Sequence, residues 1–270
     1  MTSSLSYFQL SIQDFVATLT INRVDKANAL NVDAWKELKE VMEALSEDRK
    51  VRVVVLNANG KFFCAGMDVQ SLLGVSQEFM PLNEENSEKL YQFILMLQEC
   101  VSSLEKCSKP VIAAVQGPCI GGGVDLITAA DMRFSCDEAY FSVKEIDLGI
   151  VADMGTLQRL PQIVPNGVAK EWIYTGRNVN GLEAERCGLV NKHFESQSEM
   201  DNFINDLVAT ITAKSPKTIS GIKTNLNYSS DNSIKDGLDF VAKYNSKNLL
   251  NEDLFEAFQA FLEKRKPKFK

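Results

Sequence analysis

Short apolar runs alternate with amphipathic stretches over the first two-thirds of the chain, and only amphipathic stretches follow. Phe8 to Gln13 and Val16 to Ile21 alternate polar and apolar positions about a turn near Ile12-Gln13-Asp14, which predicts two antiparallel strands. Asn22 to Asn31 is polar and irregular. Asn31 or Asp33 then suits the cap of a helix over about Ala34 to Leu45, whose Trp35, Leu38, Val41, Met42 and Leu45 share one face. Val51 to Asn57 is a β-branched run and predicts a buried strand, turned at Asn59-Gly60. Residues 71–86 carry little pattern and predict a mobile segment. A long amphipathic helix follows from Asn86 or Ser87 to about Leu104, and Ser108-Lys109-Pro110 ends it. Val111 to Val115, Met132 to Ser135, Ala139 to Val143 and Leu189 to Phe194 predict further strands, with helices near 157–160, 166–175 and 181–187 between them. Lys144 to Gly149 predicts a loop. From about Asp201 to Lys266 the pattern is helical, broken at Pro216 and at Ser229 to Asn232. Strands mixed with helices, then helices alone, predict an α/β core over 1–195 and a helical region over 196–270.

The chain's chemistry gathers around Lys109 to Asp131. A strand stops at Gly117 and Pro118, three glycines follow at Gly121, Gly122 and Gly123, and Val124 to Ala130 has the look of a buried helix. Glycines there allow a ligand close to the backbone. The first amides of the helix lack intrahelical acceptors and carry its positive dipole end, which suits a developing negative oxygen. A plain strand-to-helix turn is equally consistent with these glycines. The spacing is neither a dinucleotide fingerprint nor a phosphate-binding loop. A second such loop, Lys61 to Asp68, follows an earlier strand and is also readable as a buried loop capped by Asp68. Loops 61–68, 117–125 and 144–156 are expected at one end of the strands, where open α/β folds hold ligands.

Composition narrows the function. With 270 residues, 45% hydrophobic and 24% charged, the chain is long enough for one large core. A formal net charge of −7 argues against nucleic acid as partner. No apolar run reaches membrane-spanning length. The six cysteines form no C-x-x-C pair and the single histidine, His193, lies in a polar stretch, so free thiols and no metal site are expected. His193 reads as a surface residue, which leaves no base for a serine or cysteine hydrolase. The N-terminus has no basic-then-apolar leader pattern and Lys268-Phe269-Lys270 is not a peroxisomal tripeptide, so a cytoplasmic protein is expected.

Three motifs in order resemble the crotonase (enoyl-CoA hydratase/isomerase) superfamily: Asn22-Arg23-x-x-Lys26-x-Asn28-Ala29-Leu30, Phe63-Cys64-Ala65-Gly66-Met67-Asp68, and Ile112 to Asp131 with its three glycines. The resemblance implies ββα turns wound into a spiral core, with a C-terminal helical trimerisation region and a homotrimer or homohexamer. It implies an acyl-CoA thioester as substrate, coenzyme A being part of that substrate and no further cofactor being needed. By motif position the amides of Met67 and Gly122 form the oxyanion hole. Lys26, Ala27, Asn28 and Ala29, with Ala65, Gly66 and Asp68, fall to substrate and coenzyme A binding; Lys26 is otherwise a solvated loop lysine.

The acids select the branch of the family. Hydratases of the family carry a glutamate two residues after the third glycine and another after the next strand. Here the positions hold Asp125 and Glu145, and a third acid, Asp153, stands where hydratases carry a small or apolar residue. Phe141 to Leu160 resembles the dienoyl-CoA isomerase branch, which has acids at all three places. Moving two conjugated double bonds takes a proton from carbon 2 to carbon 6, and one carboxyl is needed near each. Asp153 is assigned to carbon 2 and Glu145 to carbon 6, with Asp125 holding or tuning them. Burial and mutual repulsion should raise these carboxyl pKa values. Structural alternatives stand beside each: Asp153 as a cap at Met154, Glu145 as an ion-pair partner of Lys144 or Arg159, and Asp125 as a first-turn helix acid. An enoyl-CoA hydratase and a non-catalytic acyl-CoA-binding homologue are the other readings of the whole.

Overall fold

The computed structural model describes residues 5–269. β1 (Phe8–Gln13) and β2 (Val16–Ile21) form where the alternation predicts them, and every second residue of β2 is buried. α1 (Val32–Glu47) begins at Asn31, whose side chain accepts from the Ala34 amide at 2.9 Å. Its apolar face, Trp35, Leu38, Val41, Met42 and Leu45, is buried in full. Burying one such side chain contributes roughly 1.5–3 kcal/mol, so this face fixes the helix on the sheet. β3 (Val53–Ala58) follows.

Residues 71–86 depart from expectation. α2 (Val69–Phe79) occupies most of them, capped by the Asp68 side chain, which accepts from Gln70 N. Only Phe79 of this helix is buried, while Val69 and Leu73 face outward, so no core-facing stripe marks it. α3 (Glu84–Lys106) starts earlier than expected, with Asn83 as its cap.

Next come β4 (Val111–Val115), β5 (Cys119–Ile120), α4 (Gly122–Thr128), β6 (Met132–Cys136) and β7 (Tyr140–Ser142). Lys144–Leu148 is a 3-10 turn rather than an open loop. α5 (Thr156–Ile163), α6 (Asn166–Thr175), β8 (Val179–Asn180), α7 (Gly181–Cys187) and β9 (Lys192–Phe194) complete the mixed region. Four helices follow: α8 (Gln197–Thr212), α9 (Pro216–Ser230), α10 (Ile234–Asn248) and α11 (Glu252–Leu262). The break between α10 and α11 carries Leu249 and Leu250 and no proline or glycine, and so was invisible to pattern.

The main sheet has the order β1-β2-β3-β4-β6-β9, parallel except for the β1–β2 hairpin. A smaller sheet, β5-β7-β8, stands apart from it. Both faces of the large sheet are covered at its centre, which is why β3 and β4 are near-continuous apolar runs. Val54 and Leu56 face the cluster that includes α1, α3 and α4, whereas Val53 and Val55 face Ile204 and Val208 of α8. The C-terminal helices are tied to the core by polar groups. Lys223 of α9 is buried and donates to Asp131 Oδ2 at 2.7 Å and to the carbonyls of Leu104 and Lys109. Arg52 reaches the carbonyls of Thr212 and Phe269.

This topology positions the site. β3 and β4 are parallel neighbours, so the loops leaving them emerge side by side. They touch through an isolated backbone β-bridge between Cys64 and Cys119, both free thiols. At Gly117 a Cβ would lie 1.9 Å from the Lys61 carbonyl oxygen, so only glycine lets the two loops pass.

Candidate active site

The two loops bring two amides together. Gly66 has a φ of +90°, and a Cβ there would lie 3.0 Å from Gly122 N. A Cβ on Gly122 would in turn lie 3.5 Å from Met67 N. Neighbouring backbone bonds run from Ala65 N to Ala27 O, Leu30 N to Gly66 O, Asp68 N to Leu30 O, Ile120 N to Cys64 O and Gly121 N to Ser142 O. Among the described residues none uses the amides of Met67 or Gly122, and Gly122 opens α4. Two neighbouring unused donors, one of them at a helix N-terminus, have the chemistry to hold an oxyanion. Trp35 backs this pair, its Cζ2 3.1 Å from where a Gly122 Cβ would stand.

Three acids surround this pair. Glu145 lies in the 3-10 turn after β7, and its Oε1 is 3.2 Å from the position of a Gly121 Cβ. Its Oε2 is buried without a partner. Lys144 pairs instead with Asp147, and Arg159 with Glu105, both at 2.7 Å. Burial first, then the charges of Asp125 and Asp153, push the Glu145 carboxyl up to about 7. Asp125 is buried in α4, and its Oδ1 accepts from Thr156 N at 2.6 Å and Thr156 Oγ1 at 2.7 Å. Burial raises it to about 6 against the pull of those two bonds, with the charge of Asp153 adding to the rise. Asp153 is exposed as a residue, yet desolvation of its carboxyl still raises its pKa. It caps nothing: α5 begins at Thr156 after Gly155, with no side-chain cap. The charge of Asp153 bears on both other acids, and Glu145 is the group that keeps its proton nearest neutrality.

The remaining predicted residues form one contiguous strip. Lys26 is exposed at the end of a 3-10 turn, and Ala27 and Asn28 both take left-handed backbone conformations. The Asn28 side chain is buried and holds the fold, accepting from Arg23 N and donating to the carbonyls of Asn59 and Phe62. Arg23 also donates to the carbonyl of Ala29 and to Asp68 Oδ2. Asp68 therefore has structural partners, Arg23 and the first turn of α2, and those bonds lower its pKa against the opposing effect of burial. His193 is not a surface residue. Its side chain is 6% exposed, with Nδ1 3.1 Å from Ser135 Oγ and Nε2 2.9 Å from Asp137. Ser135 is fully buried, far from serving as a nucleophile. Three supporting residues escaped the sequence reading: Trp35 behind Gly122, Thr156 on Asp125, and Gln98, whose Nε2 donates to the Asp153 carbonyl at 2.7 Å. Only Trp35 gave any signal, and that was as a core residue.

Known proteins are similar to this chain in sequence and in fold. The family described as enoyl-CoA hydratase/isomerase matches residues 11–270. A protein of Arabidopsis thaliana named peroxisomal Delta(3,5)-Delta(2,4)-dienoyl-CoA isomerase is 43% identical over 98% of this chain and 96% of its own length. The Homo sapiens protein named mitochondrial Delta(3,5)-Delta(2,4)-dienoyl-CoA isomerase is 39% identical over 96% of this chain and 79% of its own. The crystal structure of an enoyl-CoA hydratase from Bacillus anthracis superposes with a TM-score of 0.88 at 29% identity, covering 98% of this chain and 99% of that one.

Proposed function

The chain belongs to the enoyl-CoA hydratase/isomerase family, and from that premise we propose that it converts a 3,5-dienoyl-CoA to the 2,4-dienoyl-CoA during the breakdown of unsaturated fatty acids. The observation that carries this over hydration is the state of Asp125. Its Oδ1 accepts from both donors of Thr156, which ties this carboxyl to the first residue of α5. The second reacting carboxyl is then Asp153, whose charge bears on Glu145.

In this reading the thioester oxygen sits between the amides of Met67 and Gly122. Asp153 takes a proton from carbon 2, and the electron pair delocalises through the diene onto that oxygen. Two amide donors hold the developing charge, each contributing on the order of 3 kcal/mol to the barrier reduction. Glu145 gives its proton to carbon 6, and the double bonds settle at carbons 2 and 4. Asp153 ends protonated and Glu145 ionised, and exchange with solvent resets them. Every step is a proton transfer between carboxyls and carbon, so no cofactor beyond the coenzyme A of the substrate is assigned. Lys26, Ala27, Asn28 and Ala29, with Ala65, Gly66 and Asp68, flank the path toward coenzyme A.

Mixing the protein with a 3,5-dienoyl-CoA and separately with a 2-enoyl-CoA tests this. Growth of the long-wavelength absorption of a 2,4-dienoyl thioester is expected. Loss of enoyl absorption alone would make it a hydratase, and silence in both an acyl-CoA-binding protein.

The same reading includes a homotrimer or homohexamer. Its support is the apolar side of the C-terminal helices, where Ile234, Leu250, Phe261 and Leu262 are each at least 77% exposed. Sedimentation equilibrium decides it. Among the described residues no helix is long and apolar enough to cross a membrane. A cytoplasmic location is supported by six free cysteines, while relatives are named for the peroxisome and the mitochondrion; cell fractionation separates these.

A further inference from the structure

Asp153 stands on a segment with little structure of its own. Residues 150–153 belong to no helix or strand, and Val151 is 73% exposed. Among the described residues, one hydrogen bond reaches the main chain of residues 151–154, and it comes from Gln98 Nε2 at 2.7 Å. Gln98 lies on α3 in line with Ser102 and Glu105, one stripe of a helix. Ser102 and Glu105 hold the Arg159 guanidinium of α5 at 3.0 and 2.7 Å. α3 is anchored in turn by its buried Leu97, Cys100, Val101 and Leu104. One helix thus holds the chain at the carbonyl of Asp153 and again at Arg159 of α5.

We propose that Gln98 is a positioning residue for the isomerisation, fixing the peptide of Asp153 so that its carboxyl meets carbon 2 of the acyl group. This rests on the reading of Asp153 as the base. Gln98 makes no hydrogen bond to the carboxyl of Asp153, Glu145 or Asp125. Its amide acts on the carbonyl of Asp153, and a base displaced by about 1 Å loses on the order of 100-fold in rate. A half-buried glutamine on a long helix has no other evident use for a side-chain donor aimed at a loop carbonyl.

Gln98→Met keeps the length and removes the donor. Gln98→Glu keeps the shape and sets a carboxylate against the same carbonyl, close to Asp153. Both should lower kcat by about 10-fold with KM within twofold, since ground-state binding is untouched. Melting temperatures should stay within a degree or two of wild type. Only Gln98→Glu should also move the acid limb of the kcat/KM profile to higher pH, because a like charge raises the pKa of Asp153 further. In an Asp153→Asn background Gln98→Met should cost nothing more, because two residues acting through one group are not additive. Wild-type turnover with unchanged kcat in the Gln98 variants would overturn the inference alone. So would an equal loss in the Asp153→Asn background. A wild type inactive on 3,5-dienoyl-CoA would overturn the reading of the site and this inference with it.

Discussion

Two aspartates flank α4 and live in opposite circumstances. Asp131, just past its C-terminal end, has its Oδ2 bonded to Val111 N and to the buried ammonium of Lys223. Asp125, in the first turn, has only the two donors of Thr156, with Glu145 and Asp153 as charged neighbours. The nearest cation on that side, Arg159, is held by Glu105 and Ser102. One end of the helix neutralises its acid and locks the C-terminal region to the core. The other end gathers acids with no cation bonded to them, Arg159 acting on Asp125 only at a distance, and burial pushes Glu145 up to about 7 and Asp125 up to about 6. Buried charge serves stability where it is matched and reactivity where it is not.

The comparison is broken most severely at the reactive end. Asp153→Asn keeps the shape and removes the proposed base, and should lower kcat for dienoyl-CoA isomerisation about 1,000-fold with little change in melting temperature. Near-normal turnover by this variant would sink the assignment. In the wild type kcat/KM should fall as pH rises above about 7, where Glu145 loses its proton. It should also fall on the acid side, above the ordinary aspartate range, because the Asp153 pKa is raised. At the structural end Lys223→Met should do the reverse. It strands Asp131 beside two carbonyls that lose their donor. The side chain of Lys223 is 7% exposed and that of Asp131 28%, so the loss belongs at the low end for a broken buried pair, about 3 kcal/mol. Calorimetry should show a fall of roughly 6–10 °C, with kcat per folded molecule preserved. Loss of turnover without loss of stability would merge the two ends into one function.

Much of this was legible beforehand where local signals agree. The β1–β2 hairpin carries alternation about a turn, α1 a one-sided apolar face with its Asn31 cap, and the β4–glycine–α4 unit an apolar run stopped by glycines, and they form where expected. α2 was not legible, because its apolar residues face outward and imitate an unpatterned segment. His193 misled for a similar reason. Its sequence neighbours are polar, and its burial comes from Ser135 and Asp137, brought beside it by the β6–β9 pairing. At the site, the residue types were readable but their burdens were not. Nothing in the spacing tells that Asp125 is spent on Thr156, that Glu145 Oε2 lacks a partner, or that Gln98 grips the peptide of Asp153. Those follow from chain segments far apart in sequence.

A subtler test asks whether the unmatched acids cost the fold anything. The Glu145 carboxyl is raised from 4.5 to about 7, so the folded chain holds this proton more tightly than the unfolded chain. Below about pH 4.5 both states are protonated and the group is neutral in its effect. As pH rises from there toward 7 the unfolded chain releases the proton first, and stability falls; above 7 the full cost is present. A shift of that size sets a ceiling of roughly 3 kcal/mol, and the partial exposure of Glu145 to solvent reduces it to about 1–2 kcal/mol. Glu145→Gln removes the charge while keeping the shape. It should therefore melt a few degrees above wild type at pH 8 and level with it at pH 5, while losing isomerase turnover. An equal difference at both pH values would mean the carboxyl is already matched by a partner, and the contrast with Asp131 would fail. A gain confined to pH 8 would show that the reactive end of α4 is held at the expense of stability, the opposite of what Lys223 does at the other end.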